Sequence, residues 1–215
     1  MSFRWIPAHL AFLPITHYIE YILNIWSAIV TLGQHIITTV NQKILRFLAK
    51  FSDKEFYERQ IARSLDIPYG SANLSLNQLH SSGAIRRRQE GKMYFYSIDP
   101  SSPSVIELKK LVNLLFLEPL VESLHHDASR VILYGSCAKG NDTSQSDVDL
   151  FVVANKKENA AHIISGFALP KGFENIRIQP VIKTPVELLQ AGESEKAFIE
   201  QVERGIVLWE RTASE

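Results

Sequence analysis

The chain has little cysteine and, over its first forty residues, almost no charge. Its single cysteine, Cys137, excludes an internal disulfide and suits a reducing compartment such as the cytoplasm. No internal repeat and no low-complexity tract interrupts the 215 residues. Between Arg4 and Lys43 the only charged side chain is Glu20, and residues 21–42 carry none. That length approaches the ~20 residues that cross a bilayer. It nevertheless contains Asn24, Ser27, Thr31, Gln34, His35, Thr38 and Thr39, and Pro7 and Pro14 interrupt what precedes it. A secretory signal is not indicated, because neither a basic start nor a small-residue cleavage site is clear. Three readings of this apolar extension, residues 1–40, stand open. They are a helix packed on the body or on a second subunit, an extension upstream of the natural start, and, least favoured, a membrane anchor.

Net charge is also absent, with 23 Lys and Arg against 23 Asp and Glu, but the signs are unevenly placed. Residues 41–100 carry ten basic against six acidic side chains, and residues 101–215 twelve against sixteen. A mildly basic module joined to an acidic one fits a nucleic-acid reader attached to something else. The 46% hydrophobic share suits one or two small globular domains.

From Asn41 onward periodicity takes over. Ile44, Leu45, Phe47, Leu48 and Phe51 make a helical apolar face, and Ser52-Asp53 reads as the N-cap of a second helix over residues 55–65. Pro68 separates it from a third helix, residues 69–80. There Leu74, Leu76 and Leu79 are expected inside, and Ser71, Asn73, Ser75, Asn77 and Gln78 outside. Residues 84–98 read as two strands folded at Glu90-Gly91. Three helices and a hairpin in this order resemble a winged helix-turn-helix, similar to bacterial regulators. The resemblance implies DNA contacts from Ser71, Asn73 and Asn77 on the third helix and from Arg86, Arg87, Arg88 and Lys92 on the wing. Docking of a protein partner or a homodimer through the same module is the other reading. A connector helix follows, residues 101–127, which Pro119 is expected to kink or split. His125-His126 lacks a third ligand at metal spacing.

The richest stretch is residues 131–153, Val-Ile-Leu-Tyr-Gly-Ser-Cys-Ala-Lys-Gly-Asn-Asp-Thr-Ser-Gln-Ser-Asp-Val-Asp-Leu-Phe-Val-Val. It reads as strand, small-residue turn, polar loop and strand. Side chains two apart on a strand share a face, so Asp147 and Asp149 project together while Val148 turns inward. Two adjacent carboxylates repel unless a divalent cation lies between them, and oxygen donors suit Mg²⁺. A glycine turn lets backbone N–H groups approach a phosphate. Cys137 beside that turn reads as a small packing residue.

Gly135, Ser136, Gly140, Ser146, Asp147 and Asp149 match the signature of the polymerase-β-like nucleotidyltransferases, most closely their minimal branch. The resemblance spans roughly residues 128–211. It implies an α/β fold with a small mixed sheet, so that the whole chain is an α+β, multi-domain protein with the winged module in front. It implies that Asp147 and Asp149 hold Mg²⁺ or Mn²⁺ and are catalytic, and that the Gly135-Ser136 turn binds a nucleoside triphosphate. Ser146 of the same motif is a further candidate for nucleotide binding, and Lys139 reads equally as a charge on the triphosphate or as a plain surface lysine. Active members add a third carboxylate on the neighbouring strand. Here that strand is residues 176–182, the aligned position is Gln179, and the nearest acids, Glu174 and Glu187, lie outside it. An amide cannot take a proton at neutral pH. Two functions follow as expectations: nucleotidyl transfer to an unknown hydroxyl acceptor, or a DNA-binding regulator or antitoxin-like protein whose transferase domain is degenerate.

Overall fold

The structure is a computed structural model that describes residues 39–190 and 192–211. The readings of residues 1–38 lie outside the described residues. Thr39 caps helix α1 (Val40–Lys50) in a reciprocal box with Gln42, and Ile44, Phe47 and Leu48 are buried beneath it. A two-residue strand β1 (Phe56–Tyr57) and helix α2 (Glu58–Leu65) follow. The expected N-cap at Ser52-Asp53 is therefore wrong: a short strand intervenes, and the Asp53 carboxylate accepts instead from Ser144. Asp66 closes α2 in the left-handed region at φ 53°, and helix α3 (Tyr69–Ser81) begins after Pro68. Strands β2 (Arg86–Glu90) and β3 (Met93–Ser97) form the hairpin, and β1 adds to β3 to give the antiparallel order β1-β3-β2.

Ile44, Leu48, Ile61, Leu76, Leu79 and Tyr96 close one core, each such aliphatic side chain contributing about 1.5–3 kcal/mol on burial. This is a winged helix-turn-helix. One inward assignment on α3 fails. Ala72, Ser75, Leu76 and Leu79 form the buried stripe, spaced i, i+3, i+4, i+7. Leu74 falls off that stripe and is 60% exposed, while Ser75 lies inside.

Helix α4 (Pro103–Leu124) runs unbroken through Pro119. Proline removes one backbone bond, but Leu117 just before it and Leu120, Val121 and Leu124 beyond it are all buried. Packing of an apolar face, more than local propensity, holds a helix of this kind. Among the described residues no helix is long and apolar enough to cross a membrane.

The second half is strand β4 (Ala128–Tyr134), helix α5 (Gly135–Lys139), strand β5 (Val148–Ala154), helix α6 (Lys157–Ser165), strand β6 (Ile178–Lys183), helices α7 (Pro185–Leu189) and α8 (Glu193–Glu203), and strand β7 (Ile206–Glu210). The sheet order is β6-β5-β4-β7, with β5 and β6 parallel and β4 antiparallel to both its neighbours. A mixed sheet under helices is the expected architecture. Strand alternation divides its two faces. Val131, Leu133, Leu150 and Val152 join the core that includes Leu117 and Leu120 of α4. Ile132 and Phe151 pack on the opposite face with Val202 and Phe198 of α8.

Candidate functional site

Asp149 is the second residue of β5, and its register places it opposite Tyr134 on β4 and Gln179 on β6. Val148 between the two aspartates is fully buried, so Asp147 and Asp149 emerge on the other face. Gln179 Nε2 donates to Asp147 Oδ2, and three side chains from two strands and a loop end thus meet at one point. Gly135 sits beneath them at φ 71°. A Cβ there would fall on Asp149 Oδ2, so the close approach and the left-handed backbone both require glycine.

Burial, and then the neighbouring Asp147 charge, push the Asp149 carboxyl above its ordinary value. Burial and then Asp149 raise Tyr134 in the same sense. Crowded, partly desolvated negative charge is what a cation relieves. The donors are hard oxygens, which fits Mg²⁺ or Mn²⁺, and Asp147 and Asp149 are the residues that would hold it. Among the described residues no third His, Cys, Asp or Glu completes a cluster. Glu187 is committed elsewhere, accepting from Thr184 N–H at 2.7 Å and from Lys157 at 3.0 Å. Glu174 lies in the turn ahead of β6.

Beside this point a cavity of about 330 Å³ opens between α5 and α8, lined by Tyr134, Gly135, Lys139, Glu200 and Arg204 among others. Lys139 is thus brought to the site, and Ser136, half-buried, starts the same turn. Ser146 serves the loop itself: its Oγ accepts from Thr143 N–H at 2.9 Å. Arg204 and Glu200 carried no local sequence signal, since α8 reaches the site only through the fold. His125 stacks on Trp209 with ring centroids 3.9 Å apart.

Residues 120–214 match the family model described as Polymerase beta, Nucleotidyltransferase. This part of the chain is a polymerase beta nucleotidyltransferase domain. No curated protein matches the chain. Among solved structures, a candidate nucleotidyltransferase from Sulfolobus solfataricus is 17% identical, with 49% of this chain and 87% of that one covered at a TM-score of 0.33. NolR from Sinorhizobium fredii is 16% identical (43% and 90% covered, TM-score 0.31). Reduced HlyU from Vibrio cholerae is 20% identical (50% and 94% covered, TM-score 0.27).

The residues named from the sequence for DNA lie on the winged helix, away from the nucleotidyltransferase sheet in chain order. On α3, Asn73 is exposed while Ser71 and Asn77 are half-buried. Asn77 accepts from Arg87 at 3.1 Å. Arg86 pairs with Asp99, and Arg88 with Glu55 and Glu90. Lys92 is exposed at the hairpin tip.

Sequence reasoning missed a buried polar knot behind the nucleotidyltransferase site. Lys50 Nζ lies 2.7 Å from Asp142 Oδ2 and donates to Asn113 Oδ1 at 2.8 Å. Lys109 Nζ reaches the Asp142 carbonyl and lies 3.8 Å from its carboxylate. Asn113 Nδ2 donates to the Cys137 carbonyl at 3.0 Å. Burial first pushes the Cys137 thiol up to about 11, so Cys137 packs as a protonated thiol.

Proposed function

We propose that the domain binds a divalent-metal nucleoside triphosphate and transfers its nucleoside monophosphate to a hydroxyl acceptor. The observation that carries this reading is the contact of Gly135 with Asp149: a bare backbone turn lies directly against the carboxylate pair. The backbone N–H groups of Gly135 and Ser136 would bind the triphosphate, with Lys139 adding charge from the cavity wall. Asp147 and Asp149 would hold the ion, which would supply charge neutralisation on the phosphates. The acceptor oxygen forms a bond to the α-phosphorus, the bond to the bridging β-phosphate oxygen breaks, and pyrophosphate leaves. Gln179 takes no proton from the acceptor, so that proton goes to solvent and transfer is slow. The winged helix brings the domain to nucleic acid or to a protein partner.

Gln179 supports a second reading. It stands in register with Asp149, where a third acid would serve as base, and its amide N–H is spent on Asp147. A domain of this kind binds nucleotide without turnover and serves a regulator or antitoxin-like protein.

Both readings are tested by transfer from α-³²P-labelled nucleoside triphosphates with Mg²⁺ or Mn²⁺ in a lysate of source cells. The natural chain labels an acceptor, and a chain carrying Asp147→Asn and Asp149→Asn labels none. Equal labelling by both sinks the assignment. Gln179→Asp supplies the missing base and raises the rate by about 10²-fold or more. Labelling by Gln179→Asp alone selects the second reading.

A further inference from the structure

We infer that the winged-helix module supplies positioning residues for the nucleotidyltransferase site, Lys50 and Asp53, so that the site is incomplete without it. The inference rests on the reading that Asp147 holds a metal ion. Asp147 ends the loop of residues 140–147, which runs from α5 to β5 without regular structure. Within itself the loop is held by little more than the Thr143–Ser146 turn. Segments with so few internal bonds open easily, yet this one must set Asp147 beside Asp149.

Its anchors come from outside the sheet. Asp53, in the turn after α1, accepts from Ser144 N–H at 2.8 Å and from Ser144 Oγ at 2.7 Å. Lys50, the last residue of α1, holds the Asp142 carboxylate, whose side chain is 0% exposed. Lys109 and Asn113 of α4 complete that grip. A direct path then leads to the metal-binding end: Lys50 Nζ lies 3.7 Å from Cys137 Sγ, which donates to the Asp147 carbonyl at 3.4 Å. Gly140, where the loop begins, packs so closely on α4 that a Cβ would meet the Ile106 carbonyl oxygen.

Apolar residues fill a buried space at least as stably as an ion pair does. Two lysines and an asparagine converging on one aspartate instead fix direction, because each donor accepts only a narrow range of geometry. What they fix directly is Asp142, and through the loop and Cys137 the backbone of Asp147, whose carboxylate would bind the ion. Groups that orient a metal ligand without touching the metal typically change affinity by about 10–100-fold when removed.

The experiment measures Mn²⁺ affinity by electron paramagnetic resonance, melting temperature, and amide hydrogen exchange across residues 141–147. The natural full chain is compared with Asp53→Ala, Asp53→Asn and Lys50→Met. Asp53 is exposed, so its variants fold even if Lys50→Met does not. Asp53→Ala weakens Mn²⁺ binding about tenfold or more and speeds exchange of the loop amides while melting stays near that of the natural chain. Asp53→Asn keeps an acceptor for the Ser144 N–H and recovers most of the affinity. Equal Mn²⁺ affinity and equal loop exchange in Asp53→Ala overturn the inference alone. No Mn²⁺ binding by the natural chain overturns both it and the metal-nucleotide reading beneath it.

Discussion

At the scale of single residues, Asp142 is an exacting position. Its carboxylate is buried with two lysines, and neither Lys50 nor Lys109 is more than 3% exposed at its side chain. Charges taken out of water need a partner, and breaking a buried pair typically costs about 3–5 kcal/mol. Asp142→Ala leaves two ammonium groups against each other and is expected to lose at least that much, measured as a shift in the urea midpoint. A loss under about 1 kcal/mol, the range of exposed pairs, means that water reaches the site and the pair is not truly buried. Half of this knot was legible. Lys109 and Asn113 interrupt an α4 stripe otherwise made of Val105, Val112 and Phe116, and a polar break in an apolar stripe signals a buried partner. Lys50 gave no such hint, because its acid lies 92 positions away. The aspartate pair was readable for the opposite reason: strand alternation fixes two neighbours locally, whatever the rest of the fold does.

Elements show the same division between local and distant causes. The apolar runs of β4 and β5 and the reciprocal cap of α7 are spelled out in consecutive residues. The continuity of α4 through Pro119 and the short strand after Asp53 depend on surfaces supplied from elsewhere. The α7 cap also carries a pH signature. Thr184 N–H, and after it Lys157, hold the Glu187 carboxyl down to about 2. In an unfolded chain a glutamate titrates near about 4.3. Its contribution to stability is therefore complete above about 4.3 and is lost as pH falls towards about 2. Thermal melts of the natural chain and of Glu187→Gln are expected to differ most near neutral pH and to converge over that acid window. Parallel curves down to the lowest pH mean that the cap and the Lys157 pair do not hold the charged form in solution. Because Glu187 is held by α6 and its own N-cap, it is not free to replace the acid missing at Gln179.

On the scale of the whole molecule, charge was countable from the sequence but its pairing was not. The basic excess of residues 41–100 suggested a wing ready for phosphates, yet Arg86 faces Asp99 and Arg88 faces both Glu55 and Glu90. Arg87 differs: it donates to Asn77 on α3 and lies 4.6 Å over the Tyr94 ring. Each phosphate neutralised by a cation adds about 0.9 to the slope of log affinity against log salt. Two opposite changes follow for binding to duplex DNA. Arg87→Ala removes the arginine already aligned with α3, and it is expected to weaken binding at all sequences and flatten the slope by about 0.9. Glu55→Gln combined with Glu90→Gln releases Arg88 from its acids and is expected to tighten binding and steepen the slope. Fluorescence anisotropy of a labelled duplex across a salt series measures both. If neither variant moves the slope, the wing does not contact phosphate. The exposed Leu74, Met93 and Tyr94 of the same module then favour a protein partner, because apolar side chains add nothing to counterion release but bury well against another apolar surface.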